Sequence, residues 1–241
     1  MSRRPDNLSH PVTDEKEAKL LALLDTPEAR ALQEDLVESI LRSAARLIIL
    51  RGDVDAATVT LDELRTLAWR EFRTHWASGT FQVAPVVDHS STILEDARRF
   101  AADGNLEYAF VFYGLHLEHL LNRSIRDGGV RRSLSEAETI EVMKRSIYDK
   151  TGTLWLLLFE ERMPEELSRD IRAVANVRNQ FAHYKWTPEQ SFELSPDESE
   201  SRAAAALETA ERAALGLQRY ADELILPAES EAFDWLSATS G

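Results

Sequence analysis

Leu106 to Ile125 reads LEYAFVFYGLHLEHLLNRSI. Apolar side chains occupy nearly every side of this stretch at helical spacing. A helix apolar all round must be covered all round, so the segment predicts the buried centre of a helical bundle. Asp127-Gly128-Gly129 is expected to end it. Between Gly114 and Leu120 stand three polar groups, His116, Glu118 and His119. The two histidines are read as core groups rather than metal ligands, and no metal site is expected.

The segments around this centre also read as helices. Glu28 to Leu50 places Leu32, Leu36, Ile40, Ala44 and Leu47 near one face, and Arg51-Gly52-Asp53 closes it. Thr60 followed by Glu63 is a capping box that opens a second helix, running to about Trp76. Phe81 to Ser91, around Pro85, is expected to be a linker or short strand. A helix near Ile93 to Ala102 follows, stopped by Asp103-Gly104. Beyond the central helix, Ser135 and Glu138 form another capping box, with a helix expected through about Tyr148. TLWLLLFEE gives one more short helix. Pro164 with Glu165 and Glu166 marks a helix start, and Thr187-Pro188 a stop. Residues 189–200 read as a loop, and Ser201 to Leu226 as a last, alanine-rich helix. No strand alternation is long enough to build a sheet. The fold class is therefore all-α. The expected organisation is a disordered 1–13, an N-terminal helical region over 14–100, a helical bundle over 101–226 and a C-terminal tail over 227–241.

Composition narrows the setting. The 241 residues are 44% hydrophobic and 29% charged, with no cysteine. Disulfides and thiolate metal sites are therefore excluded, which suits a reducing, cytoplasmic compartment. Arg3 and Arg4 are not followed by an apolar run, so the start is not read as a signal peptide. The longest apolar run, Leu154 to Phe159, is too short to span a membrane, and no membrane partner is expected. The net charge of −14 opposes nucleic-acid binding on average. The charge is uneven: −4 over residues 1–100, −1 over 101–186 and −9 over 187–241. Arg123 to Lys150 holds seven basic and five acidic residues, leaving room for a local basic surface.

The candidate site lies in Asn176 to Trp186, NVRNQFAHYKW. On a helical wheel Leu167, Ile171, Val174, Ala175, Phe181 and Ala182 fall within about 60° of Arg178. Arg178 therefore projects from the apolar face and needs a partner or a cleft. Glu118 is the expected partner, with Glu107 second. Arg172, Asn176, Asn179 and His183 share a separate polar stripe. On one straight helix Arg178 and His183 diverge by about 140°, so a shared ligand needs a bend, the reach of arginine, or a second protomer.

Arg178-Asn179-Gln180-Phe181-Ala182-His183, with HLEHLL on an apolar helix upstream, resembles the signature of the HEPN superfamily of helical bundles, near its mannitol operon repressor-like branch. The resemblance covers roughly residues 100–226. It implies a homodimeric, metal-independent endoribonuclease of toxin or antiphage-defence type, without cofactors, acting on RNA by 2′-hydroxyl attack. In that reading Arg178, Asn179 and His183 are catalytic, and Glu118, Arg172, Asn176 and Tyr184 support them. An antitoxin or other defence protein is an expected partner. In members modified by an antitoxin, a tyrosine lies two residues after the histidine. Here Lys185 holds that place and Tyr184 comes one residue early, a departure from the pattern. Two other functions fit the same fold: a non-catalytic regulator or scaffold using the dimer face, and binding of nucleotides or RNA ends without cleavage. The acidic segment 187–241 is a candidate cover over the RNA site.

Overall fold

The computed structural model describes residues 26–78, 90–182 and 196–237, and among them the backbone forms ten α-helices and no strand. They are α1 (Pro27–Leu50), α2 (Leu61–Ser78), α3 (Ser90–Ala102), α4 (Leu106–Arg131), α5 (Glu136–Met143), α6 (Ile147–Lys150), α7 (Thr153–Phe159), α8 (Glu165–Ala182), α9 (Pro196–Glu223) and α10 (Phe233–Ser237). Residues 1–13, most of the Phe81–Ser91 linker, Thr187-Pro188, His183 and Tyr184 lie outside the described residues.

The helix apolar on nearly every side is central, although Tyr108, Leu115 and His119 on it stay exposed. α4 packs against α1, α3, α5, α6, α7, α8 and α9. Leu117, Leu120, Leu121 and Ile125 are fully buried, together with Trp155 of α7, Ile171 and Val174 of α8, and Ala210, Ala213, Ala214 and Leu217 of α9. Each large aliphatic side chain so covered contributes about 1.5–3 kcal/mol. Ion pairs then join the helices. Arg98 of α3 bonds Glu211 of α9, which also accepts from the Tyr113 hydroxyl at 2.8 Å. Arg212 of α9 donates to Asp170 of α8 at 2.8 Å.

A second core lies against the first. Leu41, Ala45, Ile49 and Leu50 of α1 pack with Leu64 and Ala68 of α2 and with Ile225, Leu226, Ala232 and Leu236 from the end of the chain. Residues 227–237, read from sequence as tail, thus supply packed apolar side chains. Trp235 donates its Nε1–H to Glu38 at 2.9 Å, under the guanidinium of Arg65. A charge cluster joins the two cores. Arg46 of α1 reaches Asp127 of α4 at 2.6 Å and Asp222 of α9 at 3.6 Å, and Arg123 reaches Asp222 at 3.0 Å. Burial pushes the Asp222 carboxyl above its ordinary value, against the opposing pull of Arg123 and Arg46.

Several helix starts follow their caps. At Thr60 the Glu63 N–H donates to Oγ1 at 3.3 Å and the Glu63 carboxylate accepts from the Thr60 N–H at 3.1 Å. Ser135 and Glu138 make the same reciprocal pair. Pro164 lies just ahead of α8, its carbonyl accepting from the Ser168 N–H at 2.9 Å.

Three readings are corrected. First, α4 runs through Gly128-Gly129 instead of ending there. These glycines are contact points: a Cβ on Gly128 would lie 2.8 Å from Leu158 Cβ, and one on Gly129 would lie 2.7 Å from Thr139 Oγ1. Second, the helix opened by Ser135 ends at Met143, and Ser146 starts a new single turn, accepting from the Asp149 N–H at 3.2 Å. Third, residues 196–200, read as loop, are the first turn of α9. α9 is a core helix, so deleting 187–241 would take Ala210, Ala213, Ala214 and Leu217 out of the core.

Gly128→Ala is expected to lose about 1–3 kcal/mol of stability, the range for overpacking, because the added methyl meets the Cβ of a buried leucine. Urea denaturation of both proteins checks this; an unchanged midpoint would mean that α7 shifts without cost.

Candidate functional site

Arg178 stands on the apolar face of α8, opposite α4, and the sequence makes room for it. Gly114 of α4 lies beneath the side chain: a Cβ there would be 3.0 Å from Arg178 Cγ and 3.2 Å from its Cβ. The guanidinium passes over this glycine and donates from Nη2 to Glu118 Oε2 at 2.7 Å. The expected pairing with Glu118 is therefore present. Glu107, the second candidate, is exposed near the start of α4. The Arg178 side chain keeps 33% of its surface exposed, so it is paired and also open to a cleft.

The wheel separated Arg178 from the polar stripe, but the guanidinium joins them. Its Nη1 donates to Asn179 Oδ1 at 3.1 Å. Arg172 and Asn176 turn elsewhere, toward the α6–α7 turn. Arg172 donates from Nε to Thr151 Oγ1 at 2.9 Å and stacks on the Tyr148 ring at 5.1 Å. Asn176 Nδ2 donates to the Tyr148 hydroxyl at 3.0 Å. Gly152 permits this closeness, since a Cβ there would be 2.9 Å from the Tyr148 carbonyl oxygen and 3.4 Å from Arg172 Nη2. Arg172 and Asn176 thus hold the α6–α7 turn against α8. His116 is buried, its Nδ1 2.9 Å from the Ser90 carbonyl oxygen. His119, expected in the core, is exposed, because its position on α4 faces away from the packed side.

Beside Arg178 opens a cavity of about 270 Å³, lined by Gly114, Glu118 and Leu121 of α4, Arg145 to Tyr148 and Lys150 from the α5–α6 region, and Ala175, Arg178 and Asn179 of α8. Its lining holds three cations, Arg145, Lys150 and Arg178, and one carboxylate, Glu118. Lys150 is 3% exposed and donates from Nζ to Asn122 Oδ1 at 2.8 Å. Burial pushes its ammonium below the ordinary lysine value, while the charge of Glu118 pulls the other way. Tyr148, 49% exposed, borders both this cavity and a wider depression toward Arg162, Arg169 and Arg172.

Arg145, Tyr148 and Lys150 were missed in the sequence because Ser135 to Tyr148 was read as one helix. The signal was Ser146-x-x-Asp149, a second cap pattern, which breaks that helix and turns the following residues toward α8.

No family model, curated protein or solved structure matches this chain. Among the described residues no group of three or more His, Cys, Asp or Glu is placed to hold a metal ion. No helix among them is long and apolar enough to cross a membrane.

Glu118→Gln keeps the shape but removes the charge facing Arg178. Because the carboxylate is 43% exposed, the expected loss of stability is small, about 1 kcal/mol or less, with a larger loss in any activity that needs Arg178 in place. Thermal melting together with the RNA assay below checks both; an activity equal to wild type would show that Glu118 does not position the guanidinium.

Proposed function

We propose that this protein is a metal-independent endoribonuclease of toxin or antiphage-defence type, built on an HEPN-type bundle that works as a homodimer. The observation that carries the reading is the cationic cavity at Arg178. In a chain of net charge −14, three cations and one carboxylate line that cavity, together with Asn179 of the motif. A phosphodiester needs such a place, and the acidic average makes it less expected by chance.

The chemistry follows from the groups. The ribose 2′-oxygen attacks phosphorus, the bond from phosphorus to the 5′-oxygen breaks, and the products carry a cyclic phosphate and a 5′-hydroxyl. One proton leaves the 2′-hydroxyl and one arrives at the departing oxygen. His183, whose imidazole can both take and give a proton, serves this exchange. A second copy of the chain brings a second imidazole, so that one takes a proton while the other delivers one. Arg178 meets the charge that grows on the phosphate oxygens, with its planar fork fixed by Glu118 and Asn179. Asn179 orients the phosphate or the imidazole.

The test compares wild type, Arg178→Ala and His183→Ala on total RNA in the presence of a chelator, with growth followed in parallel. Wild type is expected to cut RNA without added metal. Arg178→Ala is expected to lose about 10²–10³-fold, the range for removing one group that stabilises transition-state charge. His183→Ala is expected to lose about 10²–10⁴-fold, as for a general acid or base. Equal RNA profiles from three folded proteins would end the ribonuclease reading and favour the non-catalytic scaffold.

A further inference from the structure

Lys150 is absent from the Arg178-to-His183 motif, yet it is the most deeply buried cation of the cavity. It belongs to a four-residue helix, α6, whose cap at Ser146 and whose following turn at Gly152 set its direction. An ammonium carries three donors. Among the described residues the protein supplies one acceptor, Asn122 Oδ1 at 2.8 Å. The carboxylate that lines the same cavity, Glu118, is engaged by Arg178. Neither Lys150 nor Arg145 forms an ion pair among the described residues. A lysine 3% exposed with one neutral acceptor weakens the fold, since burying a charge is costly unless it is matched.

That arrangement fits a ligand that completes it. The lining carries three positive charges and one negative, which leaves room for an anion. A phosphate offers several acceptor oxygens: one side meets the fork of Arg178 and another the point charge of Lys150. At the mouth the Tyr148 ring is 49% exposed and carries the Arg172 guanidinium at 5.1 Å. An exposed ring beside a phosphate site is a platform for a nucleobase. A duplex keeps its bases stacked inside, so such a platform selects a single strand.

We infer that the cavity between α4, α6 and α8 binds a backbone phosphate of single-stranded nucleic acid, with Lys150 as its anchoring charge and Tyr148 stacking the adjacent base. The inference rests on the reading of this cavity as an RNA site, but concerns binding and not cleavage.

The experiment measures binding of a short, unstructured, all-2′-deoxy strand, which lacks the attacking hydroxyl, by fluorescence anisotropy across a salt series. Inorganic phosphate serves as competitor. Wild type, Lys150→Met and Tyr148→Ala are compared. Lys150→Met is expected to weaken strand binding about tenfold or more. It is also expected to reduce the slope of log affinity on log salt by about 0.7, the share of one phosphate contact on a single strand. A purely structural lysine would not move that slope. Tyr148→Ala is expected to weaken binding with the slope kept.

Unchanged affinity and slope in Lys150→Met overturn the inference. So does binding of inorganic phosphate by a protein that binds no strand, which would mark a free-phosphate site. If Lys150→Met does not fold, wild type decides: bound strand is expected to protect Lys150 from amine acylation, read by peptide mass spectrometry, and equal labelling overturns the inference. Strand bound through Lys150 with RNA left uncut retains the anchor and ends the ribonuclease reading. RNA cut while Lys150→Met binds normally does the reverse.

Discussion

A guanidinium on the apolar face of a packed helix sets the geometry of this protein's candidate site. Arg178 projects toward α4, where its partly open guanidinium needs a partner or a cleft. Glu118 neutralises it at 2.7 Å, and Gly114 leaves space for its stem. These two α4 residues are four apart and so lie on one side of the helix, one above the other. One makes the contact close and the other makes it electrically tolerable. Because the same guanidinium also reaches Asn179, the pair ties the apolar face of α8 to its polar stripe, and the cavity opens at that junction.

The contrast between an acidic chain and a cationic cavity has a structural origin. Several carboxylates are consumed within the frame. Asp127 and Asp222 meet Arg46 and Arg123, Glu211 meets Arg98, and Asp170 meets Arg212. These pairs join helix to helix. The cations of the cavity are handled differently: Arg178 is paired but partly open, and Lys150 is buried against a neutral amide. Total charge is therefore a poor guide to what this protein binds. The way acids and bases are distributed between frame and cavity matters more.

Much of the fold was legible because the strongest sequence signals are local. The all-apolar stretch at Leu106 dictated a central helix, and the boxes at Thr60 and Ser135 dictated helix starts. The position of Arg178 on its wheel, with an acid embedded in HLEHLL, led to the Glu118 pairing. What was not legible depends on close approach between segments distant in sequence. Gly128 and Gly129 carry the local signature of a helix end, yet they serve contact with Leu158 and Thr139, which no local pattern encodes. Lys150 joins the site only because α6 is a separate turn. The apolar positions of residues 227–237 found their partners in α1 and α2, more than 150 positions earlier in the chain.

That last pairing bears on how the protein is made. Leu64 belongs to a core completed by Ile225, 161 positions later. At the usual pace of synthesis, about 5–20 residues per second, roughly ten to thirty seconds separate their emergence. Through that interval α1 and α2 have each other but lack the side chains that cover them. Closing so long a loop is a slow, late event. The bundle around α4 lies between them in the chain, and its last helix, α9, ends at Glu223, just ahead of Ile225. The second core is thus assembled last, from the two ends inward, after the cavity's lining from α4 to α8 has left the ribosome.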